Sequence, residues 1–170
     1  MQRLELYELF RDDPGTVRET LNAYNKSRGA GLHPIDVVLG KRMYVTATIE
    51  YALKPTYRAD VVEPAILLAL GVNHGGATRY EDQTGLFSLR RRRFGRAEYA
   101  SSIEGTVQNV DGVFWARVTA FDDLNDSGDP ATIALPTTSV LEPVVGCDSN
   151  FVLSLFDQHV SLTAVAEVGS

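Results

Sequence analysis

The sequence is poor in the residue types that most often betray a chemistry. Among its 170 residues there is one cysteine, Cys147. A single cysteine forms no internal disulfide and anchors no thiolate metal site, so it reads as a small apolar residue. The three histidines, His33, His74 and His159, lie far apart, and none has the HxxxH or HxH spacing of a metal pair. They read as two loop histidines and one strand or loop histidine. No apolar run approaches the ~20 residues of a membrane helix. The opening segment MQRLELYELFRDD is acidic and has no long apolar stretch, unlike a signal peptide. Synthesis in the cytoplasm is the expectation.

Phosphate loops, dinucleotide fingerprints and serine elbows are also missing. Gly71, Gly75 and Gly76 do not have dinucleotide-loop spacing. No cofactor is expected. The net charge of −6 opposes a protein that works by neutralising phosphates.

What is present is an ordinary globular balance: 44% hydrophobic and 22% charged residues, enough for one good core or two small ones. Asp13 before Pro14, then Val17, Leu21 and Tyr24, predict a helix over 14–28, closed by Lys26, Arg28 and Gly29. IDVVL at 35–39 reads as a short strand. Met43, Val45, Ala47, Ile49, Tyr51 and Leu53 alternate with Tyr44, Thr46, Thr48 and Glu50, which predicts a long strand with its odd-numbered face in the core. Val62, Ile66, Ala69 and Leu70 predict a helix over 60–71, with Asp60–Glu63 as a capping pair and Pro64 in the first turn. Residues 73–85 read as a polar, glycine-rich loop, and LFSL at 86–89 as a short strand. Ser101–Glu104 is a second capping pair, ahead of the stripe Ile103, Val107 and Val110. Gly112 then turns the chain into VFWARVTAF at 113–121, a strand. TIALP at 132–136 and two segments at 151–156 and 159–166 are further strand candidates.

This order gives a split β-α-α-β unit. The fold class is therefore α+β, a mixed or antiparallel sheet with helices mainly on one face. The expected division is an N-terminal helical segment, 1–31, and an α+β domain, 32–170.

Two charged stretches stand out. Arg90, Arg91, Arg92, Arg93 and Arg96, flanked by Phe87, Phe94 and Tyr99, have the composition of an interface anchor. A solvated basic face and a nucleic-acid contact are the competing readings. Asp122, Asp123, Asp126 and Asp129 form an acidic, turn-rich loop with Asn125 and Gly128. Its spacing fails the EF-hand pattern, and no glutamate closes it. These nine residues are the candidate protein–protein interface. No catalytic set is expected. A pocket would have to draw on Tyr44, Glu50, Arg117 or His74, whose spacing suggests no constellation.

From about Val17 to Leu141 the chain resembles the C-terminal region of the baseplate J-like family, wedge proteins of contractile phage tails and related injection machines. The resemblance is carried by TVRETLNAYNKSRGAG, by RMYVTATIEYALKPTYRADVVEPAILLAL and by SSIEGTVQNVDGVFWARVTAF. In the last, Ser102 and Ile103 open a helix, and Val110, Gly112 and Val113 make the turn into a strand. Gly85 to Phe87 matches the family's glycine-marked approach to that helix. The arginine run is more basic than the family layout, and the family's β-rich N-terminal portion is not present. The resemblance implies a structural, non-enzymatic baseplate component. It would bind other baseplate or tail proteins in repeated copies around a ring, within a virion or injection particle. The alternative is a small ferredoxin-like ligand-binding module or enzyme.

For the acidic loop, calorimetric titration with calcium is expected to release no heat and to leave the melting temperature unchanged.

Overall fold

In a computed structural model of the chain, the structure describes residues 19–23, 26, 40–72, 84–126 and 128–165. The chain divides into two compact units, Met1–Lys41 and Arg42–Ser170. In the first, residues 19–23 and 26 are helical, inside the helix expected over 14–28. The strand expected at 35–39, most of the loop at 73–85, and His33 and His74 lie outside the described residues.

The second unit is an α+β fold. Its elements are β1 (Lys41–Leu53), α1 (Ala59–Leu70), β2 (Glu98–Tyr99), α2 (Ala100–Gln108), β3 (Val113–Asp123), a 3-10 turn (Pro130–Thr132), β4 (Val144–Val145) and β5 (Phe151–Ala164). The main sheet has the order β3-β1-β5, and β2 and β4 form a separate ribbon. β1 and β3 are antiparallel, with Ala47 opposite Phe121 and Tyr51 opposite Ala116. β5 runs parallel to β1: the Thr46 hydroxyl donates to the His159 carbonyl at 3.1 Å, and the Val165 N–H to the Tyr51 carbonyl at 2.8 Å. The sheet is therefore mixed, and the expected β-α-α-β unit supplies its central strand, β1, and one edge strand, β3.

Alternation in β1 decides which face is buried. Val45, Ala47, Ile49 and Tyr51 are fully buried, while Thr46, Thr48 and Glu50 between them are half-exposed. The buried face packs against Val62, Ile66 and Leu70 of α1 and Ile103 and Val107 of α2, in one apolar cluster. Tyr51 carries a polar tip into that cluster. Its hydroxyl donates to Glu63 of α1 at 2.7 Å, tying strand to helix. Burial first, then the Glu63 carboxylate, hold the phenol well above its ordinary pKa.

α2 reaches across to β3 through side chains one turn apart. Val118 donates its backbone N–H to Glu104 at 2.9 Å, and the Gln108 amide donates to the Ala116 carbonyl at 3.0 Å. Beyond them, Phe121 exchanges backbone bonds with Val140 and Glu142. The β3 edge away from β1 is thus satisfied at these positions, which blunts a template for strand addition.

Several local expectations are corrected. Neither capping pair forms. Arg58 and Tyr99 occupy the N-cap positions without a side-chain cap bond, because each helix begins earlier than the pattern suggested. Asp60 instead pairs with Arg58 at 2.7 Å, Glu63 serves Tyr51 and Glu104 serves Val118. Pro64 lies inside α1, past its first turn, so the Asp60 carbonyl loses its intrahelical donor.

The LFSL segment is buried turn, not strand. Its N–H groups go to the end of α1: Leu86 to the Ala69 carbonyl at 3.0 Å and Phe87 to the Leu70 carbonyl at 2.7 Å. These are carbonyls a helix C-terminus leaves unpaired. Gly71 and Gly85 make that approach possible. A Cβ on Gly85 would stand 2.1 Å from the Gly71 nitrogen. TIALP is not a strand either. Asp129 accepts from the Ala131 N–H, the 3-10 turn follows, and residues 133–136 carry no strand pairing; the chain meets β3 only later, where Leu141 bridges Phe121. The two expected tail strands are one, β5.

The other face of the sheet carries a smaller packed group. His159, 2% exposed, stacks edgewise against Tyr44 and Phe156, with ring centroids 5.9 and 5.6 Å away. Its Nε2 lies 3.1 Å from the Pro130 carbonyl, while Nδ1 has no partner. Nε2 is therefore the protonated nitrogen of a neutral ring. Burial is the main cause that lowers its pKa; the Pro130 carbonyl and Asp157 oppose it.

Two outcomes follow. At Gly112, φ is +94° and a Cβ would meet Tyr57 Cδ1 at 2.4 Å and Val62 Cγ2 at 2.8 Å. Gly112→Ala is expected to cost about 2 kcal/mol in urea unfolding, the scale of a strained backbone. His159 is easier to protonate unfolded than folded, so its contribution is complete above about pH 6.5 and is lost as pH falls through the lower folded value. The urea midpoint is expected to drop between pH 7 and 5, and to drop less in His159→Gln.

Candidate assembly surface

The arginine run does not behave as one patch. The carbonyl of Ser88 accepts from the N–H groups of both Arg91 and Arg92, at 3.0 and 2.9 Å, so the chain makes a helical turn there. A turn directs successive side chains to different sides. Arg90, Arg91 and Arg93 face solvent, and Arg92 points inward at 2% exposure. The expectation that Arg92 belongs to an external interface is corrected: its head is spent inside the fold.

Arg92 Nη1 forms an ion pair with Glu98 on β2, and Nη2 donates to the Arg96 carbonyl. Its guanidinium carbon lies 5.6 Å from the centre of the Phe87 ring. Both side chains of the pair are nearly inaccessible, at 2% and 8%. Burial pulls the Arg92 pKa down, and the Glu98 charge pushes it back up. Glu98 also accepts from the Tyr99 N–H at 3.1 Å. β2 is paired in turn to β4, Glu98 opposite Val145. The segment from 88 to 98 is therefore pinned from below and along its side.

Pinning leaves a cleft of about 240 Å³ beside it. Arg91, Arg96 and the buried Arg92–Glu98 pair line it, together with Leu86, with Ser102, Gly105 and Thr106 of α2, and with Asn109 just past the helix. Gly105 keeps the wall open, since a Cβ there would meet nothing within 4 Å. Arg90, Arg91, Arg93 and Arg96 form no ion pair with any described residue.

The acidic residues divide between strand and turn. Asp122 and Asp123 are half-buried at the end of β3, and Asp126 and Asp129 are exposed. Each carboxylate accepts a nearby backbone N–H: Asp123, Asn125, Gly128 and Ala131 are the donors, at 2.7–3.1 Å. Such local bonds shape turns. Among the described residues, none of these carboxylates has a cation partner either. Asp123 and Asp126 border an open hollow of about 500 Å³, with Asp148, Cys147, Met43 and Phe151. The structure thus brings Asp148 to the acidic group, although it lies 22 residues beyond Asp126 in sequence.

Cys147 is half-buried at the rim of this hollow, with Sγ 3.4 Å from the Phe151 carbonyl. Burial, above all, raises its pKa, which disfavours the thiolate. No cluster of three or more metal-ligating side chains occurs among the described residues. Of the residues considered for a pocket, Tyr44 does not join Glu50 and Arg117, and His74 lies outside the described residues. Tyr44 packs on His159, while Glu50 and Arg117 pair with each other across β1 and β3 at 2.6 Å. No helix among the described residues is long and apolar enough to cross a membrane.

Sequence reasoning missed Glu98 and Asp148. Glu98 carried a usable signal: a lone acid five residues after the last of a run of arginines, next to Ala97 and Tyr99. Asp148 carried none, because only folding brings it near Asp126. No protein-family model matches the chain, and no curated protein matches it.

Breaking the buried pair leaves a charge stranded in the core. Glu98→Ala is expected to lower stability by about 3 kcal/mol, and Arg93→Ala by about 0.5 kcal/mol or less. Chemical denaturation of the two variants checks this. Arg92→Met combined with Glu98→Leu is expected to recover most of the loss.

Proposed function

We propose that this chain is a structural assembly module of a contractile phage tail or related injection-system baseplate. It acts by docking onto neighbouring polypeptides. The observation that carries the reading is unneutralised charge held on a packed layer. Four exposed arginines on one segment and a group of aspartates on another find no opposite charge within the described part of the chain. Opposed charge on a partner orients an encounter and raises its rate.

The baseplate assignment draws support from the resemblance stated above. Its positions have physical work to do here: Ile103 of α2 is fully buried, and Gly112 holds the positive φ at the turn before β3. Gly85 seats the following turn on α1. On this reading the chain is made in the bacterial cytoplasm, enters the particle without a catalytic step, and needs no cofactor.

Mass spectrometry of purified particles, with immuno-labelling in electron micrographs, is expected to find this chain at the baseplate. Absence from particles that still assemble overturns the reading.

A further inference from the structure

The basic and acidic surfaces share a border. Arg96 lines the basic cleft, while Cys147 and Phe151 line the acidic hollow. The Gly95 N–H donates to the Phe151 carbonyl at 2.9 Å, and the Cys147 thiol lies 3.9 Å from the Arg96 carbonyl. Positive and negative surfaces therefore lie edge to edge, not at opposite ends of the unit.

That placement selects a symmetry. A head-to-tail ring needs complementary patches on different sides, so that each copy is gripped by one neighbour and grips the next. A positive patch beside a negative one is instead complementary to itself after a half turn. Each positive half then meets a negative half, and both contacts form at once.

We infer that two copies of this chain pair about a two-fold axis, the arginine cleft of each receiving Asp126 and Asp148 of the other. The inference rests on the assembly reading and specifies its first contact. A cleft of about 240 Å³ has room for a carboxylate side chain or two, not for a folded element. Arg91 and Arg96 present guanidinium forks, which grip carboxylates through paired hydrogen bonds. Asn109 and Ser102 in the same lining add neutral donors. Nucleic acid fits the same surface poorly, because its phosphates would face the adjoining carboxylates in a chain of net charge −6.

Sedimentation equilibrium on the full chain tests the pairing. At low salt the mass is expected to be that of two chains at micromolar concentration. It is expected to revert to one chain in molar salt, where the screening length is about 3 Å. Arg91→Glu with Arg96→Glu, and separately Asp126→Arg with Asp148→Arg, are each expected to weaken self-association at least tenfold. Their circular dichroism should match the original chain, since none of the four side chains is buried. Mixed in equal amounts, the two variants are expected to form a pair of two chains. A monomeric original chain, undiminished pairing in either variant, or a mixture that grows beyond two chains overturns the inference. A monomer that is nevertheless found in purified baseplates removes the two-fold pairing and leaves the assembly reading standing. A paired chain absent from particles does the reverse.

Discussion

The surface of this unit depends on one internal ion pair, Arg92 with Glu98. Taking two charges out of water is costly, and the cost is recovered only when each finds further hydrogen bonds. Here the Arg96 carbonyl and the Tyr99 N–H supply them, and the face of the Phe87 ring adds a cation–π contact. The result is a lock between an irregular segment and a short strand. With Arg92 drawn inward, Arg91 and Arg93 on either side of it face outward. A basic stretch that would otherwise be a mobile fringe becomes a shaped surface.

A second constraint acts from the sheet. β1 can bury only one of its faces against the helices, and its alternation chooses the odd one. Once Val45, Ala47, Ile49 and Tyr51 are committed, the antiparallel register with β3 brings Phe121, Val118 and Ala116 to the same side. That register also fixes where β3 ends, and so where Asp122 and Asp123 emerge. Both charged groups are thus consequences of how the core is filled. Neither needs a loop to fold on its own.

This explains what could be read in advance. Strands and helices with strong periodicity, β1, α1, α2 and β3, were legible because their burial pattern is written in consecutive residues. The acidic turn and the arginine run were legible as composition. The caps were misread because Asp60, Glu63 and Glu104 found better partners in three dimensions than their own helix ends: an arginine, a tyrosine and a strand amide. LFSL looked like a strand because its apolar residues are buried, but its amides serve the end of α1. Arg92 looked like its neighbours because a helical turn, not a residue type, decides which of them faces inward. The grouping of Asp148 with Asp126 required β5 to lie beside β1, a long-range fact that no local pattern encodes.

The contact between Gly71 and Gly85 has a wider meaning. It brings the two ends of the intervening chain together and fastens them with the Leu86 and Phe87 bonds to α1. The core then reads only the two ends, not the length of chain between them. Doubling the length of chain between two fixed ends costs only about 0.6 kcal/mol in closure entropy. The position is therefore a natural port in the architecture, where a change in the length of the segment leaves the layer beneath the same.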